Sequence, residues 1–363
     1  MSVRVSDVAR LLEAKFPSWW AEPWDRVGLL IGDEDAAVDA ALVTLDATIH
    51  AVRAAREQKC GLLVTHHPPY LGDLERVVAH ETTGAIVVEA CRLGVAVIAV
   101  HTNLDRSPEG AAALARACGF DDTRPLERST EPGDLVTVYA PERAERAIVD
   151  AMAAAGAGRI GLYERCAFST YGSGTFAPLP GAAPTDSTSD AVPEVRIEML
   201  APPGRGPAVA QAARAVHPYE EPLITVSPIA RQRAQAAYGA VAETAATTLA
   251  SLAGSVARRL NAPARIWGPA DRQVSRVAFA NGSGGALIPD AIAAGAHALV
   301  LGEVRYHDAQ RALDKGLCIV ELGHDVSEVP LLEVIASTLA QVLGERNVVI
   351  DRPTSAGWWV THP

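Results

Sequence analysis

The sequence predicts an α/β protein in which a doubly wound, mostly parallel sheet is split by an inserted module. Three observations predict this class. Short apolar runs alternate with helix-sized segments in the first third of the chain and again in the last third. The middle third has a different pattern of strand–helix–strand units. The 363 residues suffice for two or three domains, and we expect boundaries at 1–125, 126–229 and 230–363.

The first third alternates strands and helices. The run at 95–100 is apolar throughout, as expected for a parallel strand that is covered on both faces. Ser107 and Pro108 suit the N-cap and the first position of a helix, and Gly119 suits its end. The predicted strands are 41–46, 62–65 and 95–100, and the predicted helices are 49–58, 83–92 and one that begins at Pro108.

A charged, turn-rich stretch at 121–134 separates the first third from the middle module. The module reads as a split βαβ sandwich with strands at 135–140, 165–170, 195–200 and 223–226, helices at 141–155 and 207–216, and a long loop at 171–193. The α/β pattern then resumes with strands at 276–280, 298–301 and 317–321 and helices at 245–260, 289–294 and 330–343.

Composition restricts the classes of function. The net charge of −11 argues against a protein that coats nucleic acid, so a nucleic-acid partner is not expected. No unbroken apolar run approaches the roughly 18 residues of a membrane span, and the N-terminus lacks a signal core. Five scattered cysteines without a CxxC pair suit a reduced compartment. We therefore expect a soluble, cytoplasmic protein.

Imidazole and carboxylate side chains follow three of the predicted strands. Open α/β sheets bind ligands at the carboxyl edge of their strands, so these side chains can meet if all the strands belong to one sheet. The residues, in chain order, are His66 and His67, His101 and Asp105, and His324 and Glu328.

Histidine and carboxylate donors together suit Zn, Fe or Mn. Even three of these four histidines, together with the two carboxylates, exceed the needs of one catalytic ion and match two ions that share a carboxylate. His324 and Glu328 share a helix face only if their helix starts well before Pro330. A single histidine at a strand end is more often a hydrogen-bonded turn residue, but joint placement at three strand ends favours a metal site.

Three further features have open interpretations. His307 follows the strand at 298–301 and is either an acid/base in the same cleft or a surface residue. The glycine-rich turn at 281–285 could bind an anion but is more simply a tight turn. Trp24 and the pair Trp19 and Trp20 are expected to pack in a lid or an interface.

At these residues the chain resembles the GTP cyclohydrolase I type 2 homologues, Nif3-like dinuclear-metal proteins that assemble as toroidal hexamers. The resemblance covers nearly the whole chain, and the middle module is similar to the PII-like (ferredoxin-like α+β) insert of the longer members. The motifs are EPWDRVGL at 22–29, THHP at 65–68, HTNLD at 101–105, GEVRYHD at 302–308, GHDVSE at 323–328 and, in the insert, GSGTF at 172–176 and HPYEEP at 217–222.

The resemblance implies two divalent ions per subunit (Zn, Fe or Mn) and a homo-oligomer, expected to be a hexamer. It places His101 and His307 along the same site, where either would act as the catalytic acid/base. The metal ligands that it implies are His66, His67, Asp105, His324 and Glu328.

Two functions follow as expectations. The first is a metal-dependent hydrolase of the GTP cyclohydrolase type, acting through an activated water on a purine nucleotide or a related phosphate-bearing molecule. The alternative is a non-catalytic ring that binds metal and a ligand and serves as a regulator or scaffold.

Overall fold

The computed structural model describes residues 3–74, 76–127, 130–161, 163–177, 191–232 and 236–352. The chain divides into two compact units, one of which interrupts the other in sequence. The outer unit comprises residues 1–128 and 234–363, and the inserted unit comprises residues 129–233. The sequence places the insert at 126–229, a few residues earlier at both ends.

The outer unit contains, among its described residues, a first sheet of five strands in the order β1-β4-β3-β2-β15. Its four strands from β4 to β15 are parallel, and β1 is antiparallel to β4. The bounds are β1 (Gly28–Ile31), β2 (Ala41–Asp46), β3 (Leu62–His67), β4 (Ala96–Ala99) and β15 (Val348–Ile350). The helices of this part are α1 (Val5–Lys15), α2 (Ile49–Glu57), α3 (Thr82–Leu93), α4 (Thr102–Asp105), α5 (Pro108–Ala111) and α6 (Ala113–Ala117).

A second sheet of the outer unit has the described order β11-β14-β13-β12-β10-β5. Strands β12, β13 and β14 are parallel, and the strands beside them pair in the antiparallel sense. The strands are β5 (Arg124–Pro125), β10 (Ala240–Thr248), β11 (Arg265–Trp267), β12 (Gln273–Ala280), β13 (Ala298–Leu301) and β14 (Cys318–Glu321). The helices are α9 (Leu249–Leu260), α10 (Ile288–Ala293), α11 (Tyr306–Asp314) and α12 (His324–Leu343).

The expectation that all these strands share one sheet is therefore wrong. Strands β1 to β4 build one sheet and β10 to β14 build the other. In addition, β5 pairs with β10 in the second sheet, and β15 crosses back to pair with β2 in the first. The helix expected at 245–260 also starts too early. The alanine-rich run at 240–248 pairs with β12 as a strand, and Thr248 caps α9 by accepting a hydrogen bond from the Ser251 amide.

Helix α12 joins the two sheets and begins six residues earlier than the sequence predicts. It starts at His324, directly after β14, and Pro330 lies inside it. An interior proline costs about 3 kcal/mol. Burial of Leu331, Ile335 and Leu339 in the core of the first sheet outweighs that cost. Helix α12 has 20 residues and is long and apolar enough to cross a membrane. Its burial in the core of the first sheet explains why it is so apolar.

The inserted unit is built on a four-stranded antiparallel sheet in the described order β7-β8-β6-β9. Alternate residues of β6 and β8, among them Val138 and Ile197, form its apolar core with Ile148 and Val209 of its two helices. Its elements are β6 (Thr130–Pro141), α7 (Glu145–Ala154), β7 (Phe168–Thr175), β8 (Ala191–Ala201), α8 (Gly206–Ala215) and β9 (Ile224–Gln232).

The loop expected at 171–193 is shorter than predicted. Glycine and serine residues at 172–174 continue β7, because each pairs with a residue of β8. Residues 191–193 belong to β8 in the same way. Residues 178–190 of the expected loop lie outside the described residues.

Candidate metal centre

Two strand ends of the first sheet and the start of α12 bring four histidines together. His66 and His67 are the last two residues of β3, and His101 follows β4. Donor atoms of His66, His67 and His101 lie within 4.8 Å of one another, and so do those of His67, His324 and Glu328. The two groups of donors share His67 and could each hold a metal ion.

Glu328 lies between the imidazoles. Its Oε1 is 3.1 Å from His324 Nε2 and 3.7 Å from His66 Nε2, and its Oε2 is 3.1 Å from His67 Nε2. Asp105 completes the cluster with Oδ2 at 3.6 Å from His66 Nε2. The start of α12 at His324 is what places Glu328 here, since residues four apart share a helix face.

Each histidine is oriented by a partner on its Nδ1 atom. His66 Nδ1 lies 3.0 Å from the Val100 carbonyl oxygen, and the other three face carboxylates. Carbonyl and ionised carboxylate oxygens only accept hydrogen bonds, so each Nδ1 donates and each Nε2 is left for a ligand. The carboxylate partners are Asp46 for His67 (2.9 Å), Asp25 for His101 (2.8 Å) and Glu303 for His324 (3.1 Å).

Two buried atoms at the centre of the cluster lack a hydrogen-bond partner. They are His66 Nε2 and Glu328 Oε2; the latter lies near His67 Nε2 but outside hydrogen-bond geometry. The His66 side chain is fully buried and that of Glu328 is 5% exposed. Orphaned buried polar atoms are costly and rare in proteins. A divalent cation would satisfy both atoms, so the residues present fit a metal ion of the first transition row.

The imidazoles and carboxylates of the cluster shift one another's pKa. Burial lowers the pKa of His67, but the hydrogen bond to Asp46 and the neighbouring Glu328 carboxylate outweigh it and raise that pKa to about 10. The bond to Glu328 raises the pKa of His324 to about 9. Burial raises the pKa of Glu328, yet the surrounding imidazoles hold it well below its usual range. Burial raises the pKa of Asp105, against the opposing pull of His66. The cluster therefore holds positive charge tightly, as protons or as a cation.

Two glycines allow this close packing. A Cβ on Gly282 would lie 2.3 Å from Glu328 Oε1 and 3.1 Å from His324 Nε2, and the φ of Gly282 is +53°. A Cβ on Gly302 would lie 2.5 Å from Ser327 Oγ. The glycine-rich turn at 281–285 thus serves as a tight turn, and it makes room for the carboxylate of Glu328.

Of the two histidines expected to act as the catalytic acid/base, one lies in the cluster and the other does not. His101 lies within the cluster, and its ring nitrogen is placed as a further donor beside those of His66 and His67. His307 is exposed on α11, where its Nδ1 lies 3.2 Å from Gln310 Oε1 and its ring contacts Tyr306. The structure does not bring His307 into the cluster.

Sequence reasoning missed the three orienting carboxylates of Asp25, Asp46 and Glu303. Two of them had a signal: Asp25 and Glu303 lie in the recognised segments 22–29 and 302–308. The sequence signal for Asp46 is weaker: it is the charged last residue of a strand that is otherwise apolar and buried. In the structure it pairs with His67 in the β2–β3 register.

Comparison with known proteins identifies the family of the chain. The Duf34/NIF3 (NGG1p interacting factor 3) family model matches residues 3–354. The GTP cyclohydrolase 1 type 2 homolog of Mycobacterium tuberculosis is 33% identical over 356 residues, covering 95% of this chain and 93% of the relative. That of Bacillus subtilis is 33% identical over 335 residues, 90% of each chain. The crystal structure of the Bacillus cereus protein related to NIF3 matches with a TM-score of 0.66 and 29% identity over 99% of both chains. The chain belongs to the Duf34/NIF3 family.

Proposed function

We propose that the protein is a dinuclear metal-dependent hydrolase that acts on a purine nucleotide or a related phosphate-bearing small molecule. The observation that carries the proposal is the pair of orphaned buried atoms, His66 Nε2 and Glu328 Oε2, inside a ring of oriented imidazoles. A structural histidine cluster would use its hydrogen-bonding atoms internally. The purine nucleotide is suggested by the name of the relatives, which are GTP cyclohydrolase 1 type 2 homologs.

Two divalent ions, Zn, Fe or Mn, would be held by His66, His67, Asp105, His324 and Glu328. Bound ions of this kind act as Lewis acids and lower the pKa of water toward neutrality. The chain's own residues supply the rest. Asp46 and Glu303 keep the His67 and His324 rings turned so that Nε2 faces inward. Asn281 donates a hydrogen bond to Asp105 Oδ1 at 3.1 Å, which fixes that carboxylate.

His101 is the residue of this site that we propose to move a proton. Asp25 accepts from its Nδ1, and the Asp25 carboxyl stays ionised because hydrogen bonds from His101 and Thr102 outweigh burial and lower its pKa to about 2. The free Nε2 of His101 can therefore take a proton while Asp25 stabilises the imidazolium. The alternative, that His101 is a further metal ligand, predicts loss of metal from His101→Ala.

The test uses metal-replete protein and GTP. Opening of the purine ring changes the ultraviolet spectrum, whereas phosphate release leaves it unchanged, so the two hydrolytic outcomes separate by product. His101→Ala should slow turnover by about 10²–10⁴-fold with the metals retained, the usual effect of a positioned acid or base. His307→Ala is the matched control, since an exposed histidine away from the cluster should leave turnover within about twofold. Absence of both products from GTP and from other purine nucleotides would reject the hydrolase.

A second candidate is a metal-carrying ring that regulates or scaffolds. It is favoured by the inserted unit, whose edge strand β7 exposes Phe168 and Tyr171, at 66% and 60%. In this proposal the inserted unit is a PII-like module that binds a ligand or a partner. We further propose, for either function, a cytoplasmic homohexamer, to be checked by analytical ultracentrifugation and cell fractionation.

A further inference from the structure

Trp24 is a large apolar side chain left exposed beside the metal centre. Its side chain is 53% exposed, and its ring packs edge-on against His101 with 6.0 Å between ring centroids. The His101 ring is in turn 5.1 Å from that of His66 and 5.5 Å from that of His67. A ligand that contacts the Trp24 indole would therefore lie next to the proposed hydrolytic centre.

The backbone around Trp24 is held firmly. On one side, the Glu22 amide donates to Thr102 Oγ1 at 2.9 Å. On the other side, the fully buried Asp25 carboxylate accepts hydrogen bonds from the Thr102 amide, the Thr102 hydroxyl and His101. Because the backbone on both sides of Trp24 is held, binding a ligand to the indole orders only the Trp24 side chain and costs little backbone entropy. Rigid aromatic side chains of this kind are efficient contact surfaces for flat ligands.

We propose that Trp24 is a stacking platform for a planar heteroaromatic ring of the substrate. This inference rests on the proposed function, because it places the ring relative to the hydrolytic site. It narrows the substrate class from phosphate-bearing small molecules in general to those with a purine-like ring. Trp24 acts here as a specificity residue: it holds the flat part of the molecule while the cluster holds its polar part.

The experiment compares two probes on metal-loaded protein by calorimetry. Guanosine 5′-monophosphate and ribose 5-phosphate share the sugar and the phosphate, and only the first carries a ring that can stack. Stacking a base on an aromatic side chain increases affinity by about 5- to 150-fold. We expect the wild type to prefer guanosine 5′-monophosphate by a factor in that range. Trp24→Ala should reduce the preference to below about threefold, and Trp24→Phe should keep most of it.

Two controls make the result specific. Tyr163→Ala removes an aromatic side chain of the inserted unit that is 75% exposed and should leave the preference unchanged. Metal content measured for every variant should be the same. If Trp24→Ala keeps the wild-type preference, or the wild type shows none, the platform is rejected. An unchanged preference with a smaller assembly in ultracentrifugation would make Trp24 an interface residue instead. Stacking without turnover of any nucleotide would reject the hydrolase alone.

Discussion

Polar side chains of the inserted unit find hydrogen-bond partners within the chain, whereas two buried atoms at the centre of the outer unit's histidine cluster do not. In the inserted unit the buried carboxylate of Asp134 accepts a hydrogen bond from the Gly206 amide at 2.9 Å. His217 there donates from Nε2 to the Tyr139 carbonyl and accepts the Tyr219 amide on Nδ1. In the outer unit, the buried Nε2 of His66 and Oε2 of Glu328 have no such partner.

This difference separates a structural polar group from one kept for a ligand. Asp134 and His217 are satisfied by backbone groups, so neither side chain needs a ligand. Glu328 is surrounded by three imidazoles whose other nitrogens are already bound, so nothing within the described chain completes the cluster. The comparison locates the candidate metal centre, and with it the proposed chemistry, in the outer unit.

The largest effect should come from removing the central charge. Glu328→Gln keeps the shape of the side chain and should lower the affinity for metal by more than about 100-fold, because the carboxylate among the three imidazoles becomes a neutral amide. Asp134→Asn is the matched control. It should cost about 1–3 kcal/mol of stability and leave the metal content unchanged. Elemental analysis and thermal unfolding measure the two effects, and full metal occupancy in Glu328→Gln would remove Glu328 from the ligand set.

The next effect tests the space around Glu328. Gly282→Ala would place a methyl group 2.3 Å from Glu328 Oε1, so the carboxylate must move and metal affinity should fall by about 10- to 100-fold. Gly204→Ala in the inserted unit has a similar positive φ, +75°, and nothing within 4 Å of the added Cβ. Gly204→Ala should therefore lower the free energy of unfolding by the backbone strain alone, about 1–2 kcal/mol, and leave metal affinity unchanged. Equal metal affinity in both variants would contradict the proposed packing.

Acid should weaken metal binding in the outer unit. Burial lowers the pKa of His67, but the hydrogen bond to Asp46 and the nearby Glu328 carboxylate raise it to about 10, and Glu328 raises that of His324 to about 9. Both rings must lose a proton before they bind a cation, so affinity for an ion held by both should rise by up to about a hundredfold per pH unit between pH 7 and 9. Burial lowers the pKa of His217, so this histidine of the inserted unit adds no titration in this window. A titration with Zn²⁺ in two buffers would detect the released protons, and pH-independent affinity would contradict the account.

The smallest effect should follow from deleting the inserted unit. Its two connections leave the outer unit side by side, because the Leu126 and Glu127 amides donate to the carbonyls of Gly239 and Tyr238. A short linker in place of residues 129–233 should therefore give a folded protein whose metal content equals that of the full chain. Soluble protein without metal would show that the insert contributes to the centre.

The sequence predicts local features of this molecule well. Strands β2 and β13 have the predicted bounds, and the Ser107 N-cap is present. These features depend on apolar runs and caps a few residues long. The histidines of the cluster are recognisable for the same local reason, because each polar group ends or closely follows an apolar strand.

The remaining errors have non-local causes. Strand order depends on contacts between distant segments, so nothing local showed that β3 and β14 belong to different sheets. The start of α12 was placed at Pro330, because the burial that tolerates an interior proline is a tertiary effect. Asp25 was missed as a partner of His101 because 76 residues separate the two in sequence.

Anomalous diffraction from crystals of the metal-loaded protein tests the central claim most directly. The account predicts two anomalous peaks per chain, within bonding distance of His66 Nε2 and of both Glu328 oxygens. Ordered water on those atoms, with no peak nearby in protein soaked with Zn²⁺ or Mn²⁺, would contradict it.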